Sequence, residues 1–261
     1  MKSVRRALRR FRFHREVAKL AGPKVLRELA EVWPDLVFVQ VGANDGKMMD
    51  PIRSTILRTR WRGLVVEPVP ELFAALKLNY QHARDRVQAV NAAVSSAGGD
   101  AEFYHLRDRS GLPPLPPWAA GLGSFHRDVI LAHRDRLEQI EKYLTIINVR
   151  CMTLTSLCES HGLNGMDLLV IDTEGYDFEI IKQLDFQRYR PFVLIFEHHH
   201  FDEETERACT DRLKRNGYSL FREGLDTWAL DVGREDVRYE RLLEKVGGWV
   251  VNSRYASYVS D

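Results

Sequence analysis

Eight polar residues stand where apolar runs of this chain stop: Asn44, Asp45, Glu67, Asn91, Asp172, Glu174, Glu197 and His198. Acids and amides at the ends of apolar strands suit a cationic ligand, because a buried carboxylate needs a partner. Asp172 and Glu197 lie one strand–helix–strand step apart, which makes their tips neighbours. With His198 they form a set that removes a proton from a hydroxyl, or holds a divalent ion such as magnesium or manganese. His198 is the better base by its intrinsic pKa. The metal-free reading, with His198, Glu197 and Asp172 catalytic, is preferred because Glu197-His198 departs from the paired acid and amide of known metal sites. His199 and His200 extend the run, and side chains on a strand end alternate faces, so only some of the three point inward.

The elements that must position these groups are parallel strands, whose carboxyl ends carry the ligand sites of α/β sheets. Leu36-Val37-Phe38-Val39-Gln40-Val41 reads as a buried strand. Gly42-Ala43-Asn44-Asp45-Gly46 is a tight turn, and Met48 to Arg60 has the pattern of a helix. Such a turn lets backbone approach a ligand. Asn44 occupies the place where a dinucleotide fingerprint needs its second glycine, so a pyrophosphate is disfavoured. Glu67 ends the second strand, Gly63 to Val66, and Pro68 stops it. A carboxylate there accepts hydrogen bonds from both ribose hydroxyls. A ribose-bearing ligand without a diphosphate fits, and S-adenosylmethionine is one. Further strands are expected at Arg86 to Val94, Ala101 to Leu106, Asp167 to Asp172 and Arg190 to Glu197. A final hairpin is expected from Tyr218 to Arg222 and Thr227 to Asp231. Helices are expected at Pro70 to His82, Arg127 to Tyr143, Met152 to His161, Tyr176 to Leu184 and Glu203 to Asn216.

Val39-Gln40-Val41-Gly42-Ala43-Asn44-Asp45-Gly46, Val66-Glu67-Pro68, Asn91-Ala92-Ala93-Val94, Ile171-Asp172-Thr173-Glu174-Gly175 and Glu197-His198 together resemble the FkbM family of S-adenosylmethionine-dependent methyltransferases. The similarity runs in order from about Leu36 to about Leu230. It implies a class I methyltransferase fold, a Rossmann-like and mostly parallel sheet with a C-terminal antiparallel hairpin and helices on both faces. It also implies transfer to a hydroxyl oxygen, without naming the acceptor. On this reading Gly42, Asn44, Asp45, Gly46, Glu67, Asn91, Ala92 and Asp172 bind the cofactor, with adenine against Asn91 and Ala92. Gly123-Ser124-Phe125 matches a Ser-Phe element of the family before its substrate region, so Ser124, Phe125 and Glu174 are expected to face the acceptor.

With 261 residues and 44% hydrophobic content, the chain suits one large α/β domain with appendages. The net charge of +1 names no partner. No run approaches the ~20 apolar residues of a membrane span, and no apolar signal segment opens the chain. Cys151, Cys158 and Cys209 form no paired framework, which points to a reducing cytoplasm. Ten Lys or Arg against the single acid Glu16 lie between Met1 and Arg27. Val4, Leu8 and Phe11 recur there at helical spacing, and Gly22-Pro23 breaks the segment. Such an arm is a solvated or packed helix, or one that contacts a membrane surface peripherally; nucleic acid is the least favoured partner. The expected organisation is a basic arm over residues 1–30, the catalytic domain over 31–233 and a tail over 234–261. A Pro/Gly-rich lid spans Arg107 to His126, since such an insertion suits neither a helix nor a central strand. The expected activity is O-methylation of a sugar, glycolipid or polyketide-type acceptor. The alternatives are a non-catalytic S-adenosylmethionine-binding or protein-interaction module, or a methyltransferase acting on nitrogen or nucleic acid.

Overall fold

A computed structural model gives the fold of residues 21–251 and 256–259. The basic stretch before Ala21, including Val4, Leu8 and Phe11, lies outside the described residues. The strands are β1 (Val37–Val41), β2 (Arg62–Val66), β3 (Val87–Val90), β4 (Ala93–Val94), β5 (Gly99–Leu106), β6 (Gly123–Ser124), β7 (Leu144–Met152), β8 (Leu168–Ile171), β9 (Val193–Glu197), β10 (Tyr218–Glu223), β11 (Asp226–Asp231) and β12 (Ala256–Tyr258). The main sheet runs β12-β10-β11-β9-β8-β1-β2-β3. Strands β3, β2, β1, β8 and β9 are parallel neighbours, while β11 is antiparallel to both β9 and β10. This is the mostly parallel sheet with an antiparallel hairpin that the class I fold requires.

Alternation along the strands sorts side chains to two faces. Phe38 goes to one core with Trp61, Val65, Leu168, Ile195, Phe221 and Trp228. Val39 and Val41 go to the other with Leu64, Val66, Leu169, Ile171 and Leu194. Helices α1 (Gly22–Val32), α2 (Arg53–Arg58) and α3 (Pro70–Asn79) contribute Val25, Leu29, Ile56 and Leu76 to the first face. Between β5 and β7 come three short helices, α4 (Pro117–Ala120), α5 (Arg127–Leu131) and α6 (Ile140–Tyr143). Helices α7 (Leu154–Ser160), α8 (Asp177–Gln183) and α9 (Glu203–Arg215) cover the second face through Leu157, Ile180, Ile181, Cys209 and Leu213.

A last helix, α10 (Val237–Val251), is longer than the short segment its sequence suggests. Tyr239, Leu242, Val246 and Val250 are buried against the first face. Lys245 on α10 also reaches Glu28 on α1 at 2.7 Å. Residues 22–30 and 237–251 therefore share the core of the sheet, and the boundaries expected at 30 and 234 cut through one packed unit.

Residues 93–152 form an insertion larger than the lid, with a second sheet, β4-β7-β5-β6, in which β5 and β7 pair antiparallel from Gly99↔Cys151 to Leu106↔Leu144. Strand β7, nine residues long, had no counterpart among the expected elements. The expected third strand also divides: Val87–Val90 stays in the main sheet, and Ala93–Val94 pairs with Cys151 and Met152 in the second. The single helix expected from Arg127 to Tyr143 breaks into α5, a 3₁₀ turn (Ala132–Asp135) and α6. Ile130, Leu131, Ile140 and Tyr143 all pack into one small cluster with Leu106 and Ala119, so the chain has to double back. Gln139, at φ +58°, makes the reversal. The helix expected from Met48 is confined to α2, because Pro51 interrupts it and Asp50 accepts from the Ile52 and Arg53 N–H groups at 2.9 and 2.8 Å. Within the lid, α4 and β6 are the only regular elements.

Candidate active site

The glycine turn is built for close approach. At Gly42, φ is +78°, and a Cβ there would lie 1.7 Å from the backbone oxygen of Asp172. Any side chain at this position forces β1 and β8 apart. Asn44 is also left-handed, at φ +50°. Glu67 holds the turn, with Oε2 accepting from Asn44 N–H at 2.9 Å and Oε1 accepting from Val69 N–H at 2.9 Å. Burial pushes the Glu67 carboxyl up to about 7.

Beside this turn a cavity of about 460 Å³ opens over the carboxyl ends of the strands. Of the candidate site residues, Gly42, Asn44, Glu67, Ala92, Asp172, Glu174, Glu197 and Phe125 line it. Asp45, Gly46, Asn91, Ser124 and His198 do not. Asp45 Oδ1 accepts from the N–H groups of Lys47 and Met48 at 2.8 and 2.7 Å, so it caps the loop. Gly46 makes room for Leu76 and Tyr80, which a Cβ would meet at 2.4 and 2.7 Å. Asn91 Nδ2 donates to the Glu67 and Pro68 carbonyls at 2.8 and 3.0 Å, tying the second and third strand ends together. Ser124 is fully buried and donates to the Glu174 carbonyl at 2.7 Å, which positions Glu174 from behind.

His198 requires the largest correction. Strand β9 ends at Glu197, and the next three histidines sit in a turn, so strand alternation does not govern them. His198 turns to the hairpin, where Nδ1 and Thr227 Oγ1 share a hydrogen bond of 3.0 Å. Burial, with Arg222 and His199 nearby, drops its imidazole to about 4. It is placed neither as a base for this cavity nor as a ligand with Asp172 and Glu197. His200 occupies that place instead, with Nε2 3.0 Å from Glu174 Oε2 and 3.5 Å from Glu197 Oε2. The hydrogen bond to Glu174 raises its pKa. Its only sequence signal was membership of the histidine run.

The acids form one constellation. Ligand-type oxygens of Asp172, Glu174 and Glu197 lie within 4.8 Å of one another. Burial, then Glu174, raises Glu197 to about 8, and its Oε2 is buried without a hydrogen-bond partner. Burial, then the neighbouring acids, lifts Asp172 well above the carboxylate range. Asp177 is fully buried and holds the two strand tips in register, accepting from Thr173 Oγ1 at 2.7 Å and from Glu197 N–H at 3.1 Å. The insertion supplies the outer wall through Phe103, Trp118, His133 and Arg136, with the Arg136 guanidinium 4.3 Å over the Trp118 ring. Trp118, His133 and Arg136 carried no periodic signal that marked them.

These raised carboxyls have a thermodynamic consequence. Glu67, Asp172 and Glu197 bind protons more tightly folded than unfolded, and so does His200. Between about pH 6.5 and 8.5 the folded state therefore holds the extra protons, and stability falls as pH rises. The lowered imidazoles of His105, His133 and His198 act below that window. Chelator-treated, cofactor-free protein is expected to show a Tm that declines from about pH 6.5 to 8.5 by differential scanning fluorimetry. A rising Tm over that range contradicts it.

The chemistry of the cavity fits S-adenosylmethionine: Glu67 keeps lone pairs that ribose hydroxyls could use, Ala92, Ala93 and Val94 form a low apolar wall that would admit a flat ring, and the acids would suit a sulfonium.

Residues 40–220 match the Methyltransferase FkbM domain. Among curated proteins none matches this chain. Solved structures to which this chain is similar include a methyltransferase FkbM from Methylobacillus flagellatus KT, at TM-score 0.49 and 10% identity, covering 75% of this chain and 44% of that one. A precorrin-6y C5,15-methyltransferase from Geobacter metallireducens GS-15 has TM-score 0.40 and 13% identity, covering 80% and 84%. A fibrillarin pre-rRNA processing protein from Methanococcus jannaschii has TM-score 0.40 and 9% identity, covering 77% and 68%. With the domain match spanning more than half of its length, this chain belongs to the FkbM methyltransferase family.

Proposed function

We propose that this protein is an S-adenosylmethionine-dependent O-methyltransferase acting on a hydroxyl of a sugar, glycolipid or polyketide-type acceptor. The observation that carries the reading is Glu197, a cavity-lining carboxyl raised to about 8 with one buried oxygen free of hydrogen bonds. A base near the working pH is what an alcohol nucleophile needs. S-adenosylmethionine, when bound, supplies an electrophilic methyl whose carbon–sulfur bond breaks with the electron pair left on sulfur. Glu197 takes the hydroxyl proton as the oxygen–methyl bond forms. Glu174, and Asp172 once a neighbouring cation draws off its proton, would add negative potential for a sulfonium, and Phe103, Trp118 and Phe125 would provide flat apolar walls for an acceptor ring.

The test is methyl transfer from isotopically labelled cofactor to a panel of glycosides, glycolipids, macrolide polyketides and RNA oligonucleotides, with the product located by NMR. An O-methyl on a glycoside, glycolipid or polyketide is the expected result. Label on nitrogen or on RNA overturns the acceptor assignment, and failure to bind cofactor overturns the activity.

A further inference from the structure

We propose that His133, Glu174 and His200 form a site for one first-row transition-metal dication. One donor atom from each lies within 4.8 Å of the other two. The three come from separate parts of the chain: the 3₁₀ turn of the insertion, the loop after β8 and the turn after β9. Local sequence does not force such a meeting.

A plain ion-pair cluster explains Glu174 and His200 but leaves His133 unexplained. The Nε2 of His133 is buried with no hydrogen-bond partner, and the residue lines the cavity. Buried polar atoms are rarely left so, and this one belongs to a side chain grouped with two other ligand-type side chains, which points to a ligand. A 2.1 Å coordination shell puts tetrahedral donors about 3.4 Å apart, so side-chain rotation suffices to close the set. Two imidazoles with a carboxylate suit zinc, cobalt, iron or manganese rather than magnesium or calcium. This ligand set differs from Asp172, Glu197 and His198, and draws its first member from the insertion.

The role of the ion rests on the reading of this cavity as an acceptor site. There it would act as a Lewis acid toward the acceptor oxygen, with Glu197 as the base. The site itself does not rest on that reading. The experiment is a cobalt titration of tag-free, chelator-stripped full-length protein, followed by visible d–d absorption, with zinc competition and proton release measured calorimetrically. One equivalent of cobalt with nitrogen-ligated bands, displaced by zinc, is expected, with about one proton released. His133→Ala and Glu174→Gln should each weaken binding by at least ~10-fold, with folding checked by circular dichroism, whereas His198→Ala should leave it unchanged. Absence of saturable cobalt binding, or equal binding by a folded His133→Ala and wild type, overturns the site. Cobalt binding without S-adenosylhomocysteine binding overturns the proposed function and leaves the site standing. The converse result does the reverse.

Discussion

Glu197→Gln is expected to lower turnover on a hydroxyl acceptor by ~10²–10⁴-fold, the range for a lost general base. Glutamine keeps the length and shape of the side chain but cannot accept the proton. Affinity for S-adenosylhomocysteine should change little, which separates chemistry from binding. The wild-type rate should climb with pH through an ionisation near 8, because burial and the Glu174 charge hold the Glu197 carboxyl there. In Glu197→Gln that limb should vanish. His198→Ala should leave both the rate and the limb in place, since its ring is engaged by Thr227 on the hairpin. A flat profile from about pH 6 to 9, or full turnover by Glu197→Gln, would remove Glu197 from the mechanism.

Glu67→Ala is expected to weaken S-adenosylhomocysteine binding by about 1–3 kcal/mol, or ~5–150-fold. Two losses combine. The ribose loses its acceptor, and the N–H groups of Asn44 and Val69 lose theirs. The second loss frees Asn44 from its left-handed conformation and loosens the turn. Glu67→Gln should retain part of the affinity, because one amide oxygen still accepts while the NH₂ faces a second donor. Isothermal titration calorimetry gives the ranking directly. Unchanged affinity in Glu67→Ala would place the ribose elsewhere.

What the sequence disclosed follows from how locally each feature is encoded. The turn from Gly42 to Gly46 and the carboxylate at Glu67 are fixed by neighbours in the chain, and both stand where the residues placed them. Glu197 was also legible, because an apolar strand ending in an acid leaves little choice of position. His198 and His200 were not separable, since the distinction depends on where β9 stops, and only pairing with β11 decides that. The insertion was the least legible part. Strand β7 exists because β5 lies opposite it, and His133 reaches the cavity only because Ile130 and Ile140 fold back into one cluster. Ser124 was marked by its motif, but its work, gripping the Glu174 carbonyl, is visible only once both strands are in place.

The capping of α1 extends the reach of the cleft. The N–H groups of Ala21 and Gly22 donate to Glu223 at 2.6 and 2.8 Å, and Glu223 belongs to the hairpin turn that lines the cavity. The eight Lys and Arg residues before Ala21 are thus covalently joined to the body at the rim of the cavity. One carboxylate thus fastens the start of α1 to the hairpin, and its loss would leave two buried N–H groups without an acceptor.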